Sequence, residues 1–231
     1  MSSTATMTGR TKVAHPLSQA LRDETARAHE GAEGSEFMTA LVKGELDAEA
    51  VHALTGQLWF IYDALETAVR RVAHTALGSA VADPRLERRP ALENDLANMM
   101  GADWREKVRI LPATARYVAR LESLGEDEVA RVVAHHYVRY LGDISGGQVI
   151  AARMGTIYDI DADALRFYDF AAIGKVPPYR AAYRRQLDEL PLAEGEREAL
   201  IAEAQEAFAF NTAVFADLSR ARAARQPQPV R

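Results

Sequence analysis

From Pro16 to about Ser219, large apolar residues recur at three- and four-residue spacing with hardly a break, and this rhythm leaves room for little but helices. Leu17, Leu21 and Ala28 begin one stripe, and Phe37, Met38 and Leu41 predict a short second helix. A long third helix is expected over residues 48–76, with Val51, Leu54, Leu58, Ile61, Tyr62, Leu65 and Val72 facing inward. Asp83-Pro84 restarts the chain with proline in a first turn, and Leu86, Leu92 and Leu96 follow. Pro112 opens a helix that Gly125 is expected to stop. A further helix is expected to start near Glu126, carrying Val129, Val132, Val133, Tyr140, Leu141 and Ile144. Pro177-Pro178 introduces a segment to Leu190, and a last helix is expected over residues 194–219. Period-two alternation never survives beyond a few residues, and no Asn-Gly or Asp-Gly hairpin signal occurs. No internal repeat appears, and the stretches 154–161 and 169–176 are too short to mark a domain border. The expectation is one all-α domain over residues 16–220, with a disordered lead-in at 1–15 and a polar, basic tail at 221–231.

Composition narrows the chemistry. Cysteine is absent from the 231 residues, which removes disulfides, zinc–cysteine sites, iron–sulfur clusters, thiolate-ligated haem and cysteine nucleophiles together. A net charge of −5 argues against a general nucleic-acid binder. No apolar run approaches the roughly 18–20 residues of a membrane-spanning helix. The start of the chain shows no hydrophobic signal region and its end no tail anchor, so a soluble, cytoplasmic protein is expected.

The stretch from His135 to Gln148 breaks the rules of a good helix. Gly142, Gly146 and Gly147 sit inside a pattern that is helical on both sides. Each glycine costs about 0.8–1.0 kcal/mol relative to alanine, so the set costs roughly 3 kcal/mol. Gly142 and Gly146 are four apart and share a face, where missing side chains let something approach the backbone closely. That something is either another helix or a flat ligand lying against a kinked helix. The polar company of Tyr137, Arg139 and Asp143 favours the ligand. His29 is the second unusual residue. Positions 17, 21, 25 and 29 step by four, so His29 continues an apolar stripe, and Glu33 lies four residues on, where it can orient the imidazole as a metal ligand. A partly buried structural histidine is the other reading of this helix alone.

Together these segments resemble haem oxygenase. The resemblance spans residues 17–218, and its most specific motif is Tyr-x-Arg-Tyr-Leu-Gly-Asp-x-Ser-Gly-Gly-Gln from Tyr137 to Gln148. Supporting blocks are Ala28-His29-Glu30-Gly31-Ala32-Glu33, Glu36-Phe37-Met38, Ile61-Tyr62-Asp63-Ala64-Leu65-Glu66, Leu92-Glu93-Asn94-Asp95-Leu96, Tyr183-Arg184 and Phe208-Ala209-Phe210-Asn211. The resemblance implies a helical bundle with haem b sandwiched between a proximal and a distal helix. It makes His29 the proximal iron ligand and the glycine-rich helix the distal cover. Asp143 is implied as the distal carboxylate, with Arg139 and Tyr62 in its network and Gly142 and Gly146 at the thin part of the helix. Arg22, Arg180 and Arg184, with Tyr137 nearby, match the basic cluster that fixes the propionates, and Lys175 is a further candidate. Arg22 and Arg180 depart from the lysines often found there, keeping the charge and changing the geometry. Phe208 and Asn211 match pocket-lining and distal-network positions. The implied reaction uses O2 and electrons from a ferredoxin or a flavoprotein reductase to open haem to biliverdin, CO and ferrous iron, by a monomer.

Two rivals are weighed by residues. A di-iron carboxylate bundle needs two Glu-x-x-His units, and only Glu49-Ala50-Val51-His52 fits. A haem carrier or sensor that does not degrade its ligand would keep His29, but the intact Asp143, Arg139, Gly142 and Gly146 favour the enzyme. His135 and His136 are read as surface or propionate-side residues without an assigned role; the second stands where the family commonly has a small residue. The acidic runs Asp188-Glu189 and Glu194 to Glu198 are read as solvated helix faces.

Overall fold

A computed structural model of the protein describes residues 15–225. The expected lead-in, apart from His15, and residues 226–231 of the expected tail lie outside the described residues. Ten α-helices are described: α1 (Leu17–Glu33), α2 (Glu36–Lys43), α3 (Ala48–Val72), α4 (Ala76–Ser79), α5 (Arg89–Met100), α6 (Trp104–Lys107), α7 (Pro112–Ser123), α8 (Val129–Tyr158), α9 (Val176–Asp188) and α10 (Glu196–Arg225). Short 3-10 turns at Pro84–Leu86, Ala162–Ala164, Arg166–Tyr168 and Ala171–Ile173 fill the gaps, and no strand occurs among the described residues.

Local chemistry sets the boundaries. Ser35 caps α2 by accepting the Met38 N–H, and Asp47 caps α3 by accepting the Ala50 N–H at 2.9 Å. Gly44 ends α2 at φ 79°, and a Cβ there would sit 2.7 Å from the Ile157 side chain, so both conformation and space require glycine. Leu124 takes extended geometry and ends α7 one residue before Gly125, so the expected glycine stop is not the cap. Helix α8 starts at Val129, three residues after the expected position, and α3 ends at Val72 before the expected Ala76. Helix α10 continues six residues past Ser219, because the basic run there is made of good helix formers.

The core is built on α3, whose stripe Val51, Leu54, Leu58, Ile61, Tyr62, Leu65 and Val72 is buried throughout. It packs against α5, α7 and α8, while α10 lies across α8 and α1. Buried carboxylates then satisfy backbone donors at turns that helical periodicity does not reveal. Asp95 accepts the N–H groups of Arg166 and Phe167, both at 2.8 Å. Asp217 accepts the Ala113 N–H at the start of α7, and Glu66 accepts those of Arg88 and Arg89. No helix among the described residues is long and apolar enough to cross a membrane.

Candidate functional site

Helices α1 and α8 face each other across a cleft of about 520 Å³, closed at one rim by α9. From α1 come Arg22, Thr25, Ala26, His29 and Glu30. Helix α8 contributes Tyr137, Val138, Leu141, Gly142 and Ser145, and the remaining walls are Arg180, Arg184 and Phe208. His29 continues the stripe of Leu17, Leu21 and Thr25, but it has run off the core into the cleft, where its side chain keeps 47% exposure. Its Nδ1 lies 3.5 Å from the Glu33 carboxylate, and its ring meets the edge of Phe208 at 5.7 Å. That leaves Nε2 as the ring nitrogen without a partner among the described residues.

Across the cleft, α8 runs as one uninterrupted helix through all three glycines. A Cβ built on Gly142 or Gly146 would meet nothing within 4 Å, which removes the helix-crossing explanation for both. Gly147 is different. Its Cβ would stand 3.0 Å from the Tyr168 ring, so this glycine serves packing.

Behind Gly142 sits a polar group of four. Tyr62, itself fully buried, donates its hydroxyl hydrogen bond to Asp143 Oδ2. Arg139 Nη2 lies 3.8 Å from that same oxygen, and its Nη1 donates to Asn211 Oδ1 at 3.0 Å. The guanidinium also rests 5.2 Å over the Tyr62 ring, which Tyr140 and Phe167 brace edge-on. Burial pushes the Asp143 carboxyl well above its ordinary range and pulls the Arg139 guanidinium down. Asp143 is therefore a carboxyl whose affinity for a proton is raised by burial, bonded by a phenol and faced by a guanidinium. Asp143, Arg139, Tyr62 and Asn211 do not line the cleft, and Gly146, one turn beyond Gly142 on the same face, lies just past its lining with open space in front of it.

The donor set fits a haem. One wall offers a half-exposed imidazole nitrogen, the other the bare backbone of Gly142, and Ala26, Val138, Leu141 and Phe208 add apolar surface between the polar side chains of Thr25, Glu30 and Ser145. At the rim, Arg22, Arg180 and Arg184 gather positive charge suited to carboxylates. Arg180 Nε is buried without a hydrogen-bond partner in the protein, a donor left for something else.

The family model described as heme oxygenase matches residues 15–217. The chain belongs to the haem oxygenase family. Heme oxygenase 1 of Nostoc sp. strain PCC 7120 is 33% identical over 203 residues, 87% of this chain and 85% of that protein. Human heme oxygenase 1 is 36% identical over 205 residues, covering 87% and 71%. Among solved structures, heme oxygenase-1 from Synechocystis sp. PCC6803 in complex with heme superposes with a TM-score of 0.82 at 30% identity, over 91% of this chain and 97% of that one. Heme oxygenase-2 from the same cyanobacterium, in complex with heme and NO, gives 0.86 at 30% identity over 93% and 94%.

Within this haem oxygenase fold, Lys175 caps the start of α9 and stays outside the cleft. The surface reading of His135 and His136 is corrected. Both are sealed, at 0% and 1% exposure. His135 bonds Glu203 through Nε2 at 2.9 Å and approaches the Tyr117 hydroxyl at 3.3 Å, while His136 Nδ1 shares a 2.8 Å hydrogen bond with Tyr183. Burial lowers the affinity of both for a proton, that of His136 to a pKa of about 3. Among the described residues, no group of three or more His, Asp or Glu is arranged to hold a metal ion. Val138 and Ser145 were not among the expected site residues, and Leu141, expected to face the core, lines the cleft with them. With Gly142 they sit at i, i+3, i+4 and i+7, so the stripe was there to be followed.

Proposed function

We propose that the chain binds haem b between α1 and α8 and, with O2 and electrons from a ferredoxin or a flavoprotein reductase, opens the macrocycle to biliverdin, CO and ferrous iron. The observation that carries this reading is the opposition, across one cleft, of the unpartnered His29 Nε2 and the bare backbone at Gly142, with the Asp143 carboxyl, bonded by Tyr62, just behind. Bound haem supplies the iron that binds oxygen and the ring that is cleaved.

The chain's own residues do the rest. Glu33 holds His29 Nδ1 and so leaves Nε2 to ligate. Arg22, Arg180 and Arg184 engage the propionates, with Tyr137 alongside, and their forked geometry fixes orientation as well as charge. Phe208 supports the His29 ring. On the other face, Gly142 and Gly146 keep bulk away, while Asp143 carries the proton the chemistry consumes. Its Oδ2 is engaged by Tyr62 and faces Arg139, so Oδ1 is the atom free to pass a proton through ordered water. Arg139, tied to Asn211 and stacked on Tyr62, holds that carboxyl in place.

The test is a hemin titration followed by reductant and oxygen, watching the Soret band. Its replacement by bilin absorption is expected; an intact band after many equivalents of reductant overturns the reading. His29→Ala is expected to lose the histidine-ligated spectrum and to regain part of it with added imidazole. An unchanged spectrum in that variant removes His29 as the ligand.

A further inference from the structure

Helix α9 brings both Arg180 and Arg184 to the cleft, and among the helices it packs chiefly on α1 and α8. What fixes its rotation is a row of ties on one face. Tyr179 donates its hydroxyl to Asp83 Oδ2 at 2.7 Å, and Tyr183 shares a 2.8 Å hydrogen bond with His136 Nδ1. Leu187 is buried one turn on, and Asp188 accepts the backbone and hydroxyl groups of Ser18. Each rim arginine follows a tied tyrosine by one residue, so the azimuth of Tyr179 and Tyr183 dictates where both guanidinium groups stand.

The central tie is the best built. The His136 and Tyr183 rings are stacked at 5.7 Å and 16°, and the other side of the imidazole is held by Tyr140 at 4.4 Å. Tyr140 in turn bonds Glu66. All four residues are buried. Burial keeps His136 uncharged across the working range, so this support brings no second positive charge to the arginine rim. A side chain reaches about 6 Å from a helix axis, so releasing the tie and turning α9 by only about 10° displaces each arginine head by roughly 1 Å. Displacements of that size matter where a ligand must sit in one orientation.

The geometry points to His136 as a positioning residue that sets the in-plane seating of the macrocycle, by fixing α9 and through it the pair Arg180 and Arg184. This rests on the haem-binding reading above. Iron ligation belongs to α1, so the role concerns which way the ring lies and not whether it is held.

His136→Phe keeps the ring and removes the nitrogen; Tyr183→Phe removes the same hydrogen bond from the other partner. Wild type is first titrated with hemin, and failure there disposes of the haem-binding reading itself. Given binding, proton NMR of the ferric complexes reads the in-plane orientation of the ring from its shifted methyl resonances, and product analysis reads the biliverdin isomers. Each variant is expected to shift the isomer ratio by roughly 2- to 10-fold, the span one lost hydrogen bond commands, with the Soret position unchanged. The double variant is expected to match the singles. In the protein without hemin, amide exchange over Val176–Asp188 is expected to quicken in both singles. Unaltered orientation and isomer ratios beside a lowered Tm overturn the proposal and leave His136 a stabilising contact only.

Discussion

Burial of the Asp143 carboxyl has a consequence for stability that is separable from its chemistry. Its folded pKa is raised above the unfolded value of 3.8, so the contribution of this one group to stability is largest below that value and is lost as pH rises through the gap between the two. Asp143→Asn keeps an oxygen to accept from Tyr62 and abolishes the ionisation. The variant is expected to melt higher than wild type at about pH 8, with the difference closing toward about pH 4, while biliverdin formation falls. Thermal melts across that range check it; a pH-independent gap would assign the effect to packing. The glycines give a second contrast. A Cβ at Gly142 meets no protein atom, so Gly142→Leu should gain about 0.5–1 kcal/mol of helix propensity yet lose hemin affinity. Gly147→Leu collides with Tyr168 and is expected to cost about 1–3 kcal/mol while hemin affinity per folded molecule holds. Denaturant titration and hemin titration on the same samples separate the two. His29 and Gly142 were legible from spacing, and the rim arginines Arg22, Arg180 and Arg184 from the family resemblance. His135 and His136 were not, since their partners lie 68 and 47 residues away and no periodicity announces them.

The joint of α7, α8 and α10 turns on one carboxylate. Glu203 on α10 receives Arg120 through Nε and Nη2, both at 2.8 Å, then Arg131 at 2.7 Å and His135 at 2.9 Å. Burial pushes the Glu203 carboxyl up, but the hydrogen bonds from His135, Arg120 and Arg131 prevail and hold it far below its ordinary range. A depressed carboxylate contributes stability that is present above the unfolded value of 4.5 and is lost as pH falls below it. His135 works in the same direction, because the fold keeps it neutral while the unfolded chain takes up a proton near 6.5. Glu203→Ala is expected to cost roughly 2–4 kcal/mol at neutral pH, short of the fully buried case because both arginines keep partial solvent access. Its stability should also decline less steeply in acid, as denaturation midpoints between about pH 7 and pH 4 would record. Long helices were readable because fifteen or more residues carry a period, as α1 and α3 do. Segments of three or four, such as α4, α6 and the 3-10 turns, carry none, and the turn Arg166–Tyr168 is held instead by Asp95 from elsewhere in the chain.

At the scale of the molecule, an all-α bundle follows from stripes that must be buried against one another, and that much the sequence announces. Which stripes meet is a long-range matter. The packing of α10 on α1 joins the two ends of the chain, and the seat of α9 depends on Tyr179, Tyr183 and Asp188 finding partners on three different segments. The cleft arises from that assembly, and with it an uneven distribution of imidazoles. His74 stands in solvent, His29 looks into the cleft at 47% exposure, and His135 and His136 are closed off entirely. A reagent that acylates imidazoles will therefore write two records on one molecule. His29 is marked in the ligand-free protein and spared once hemin fills the cleft, so its labelling counts loaded molecules. His135 and His136 take the mark only when the bundle opens, so their labelling counts unfolding, and peptide mass mapping reads both from a single sample.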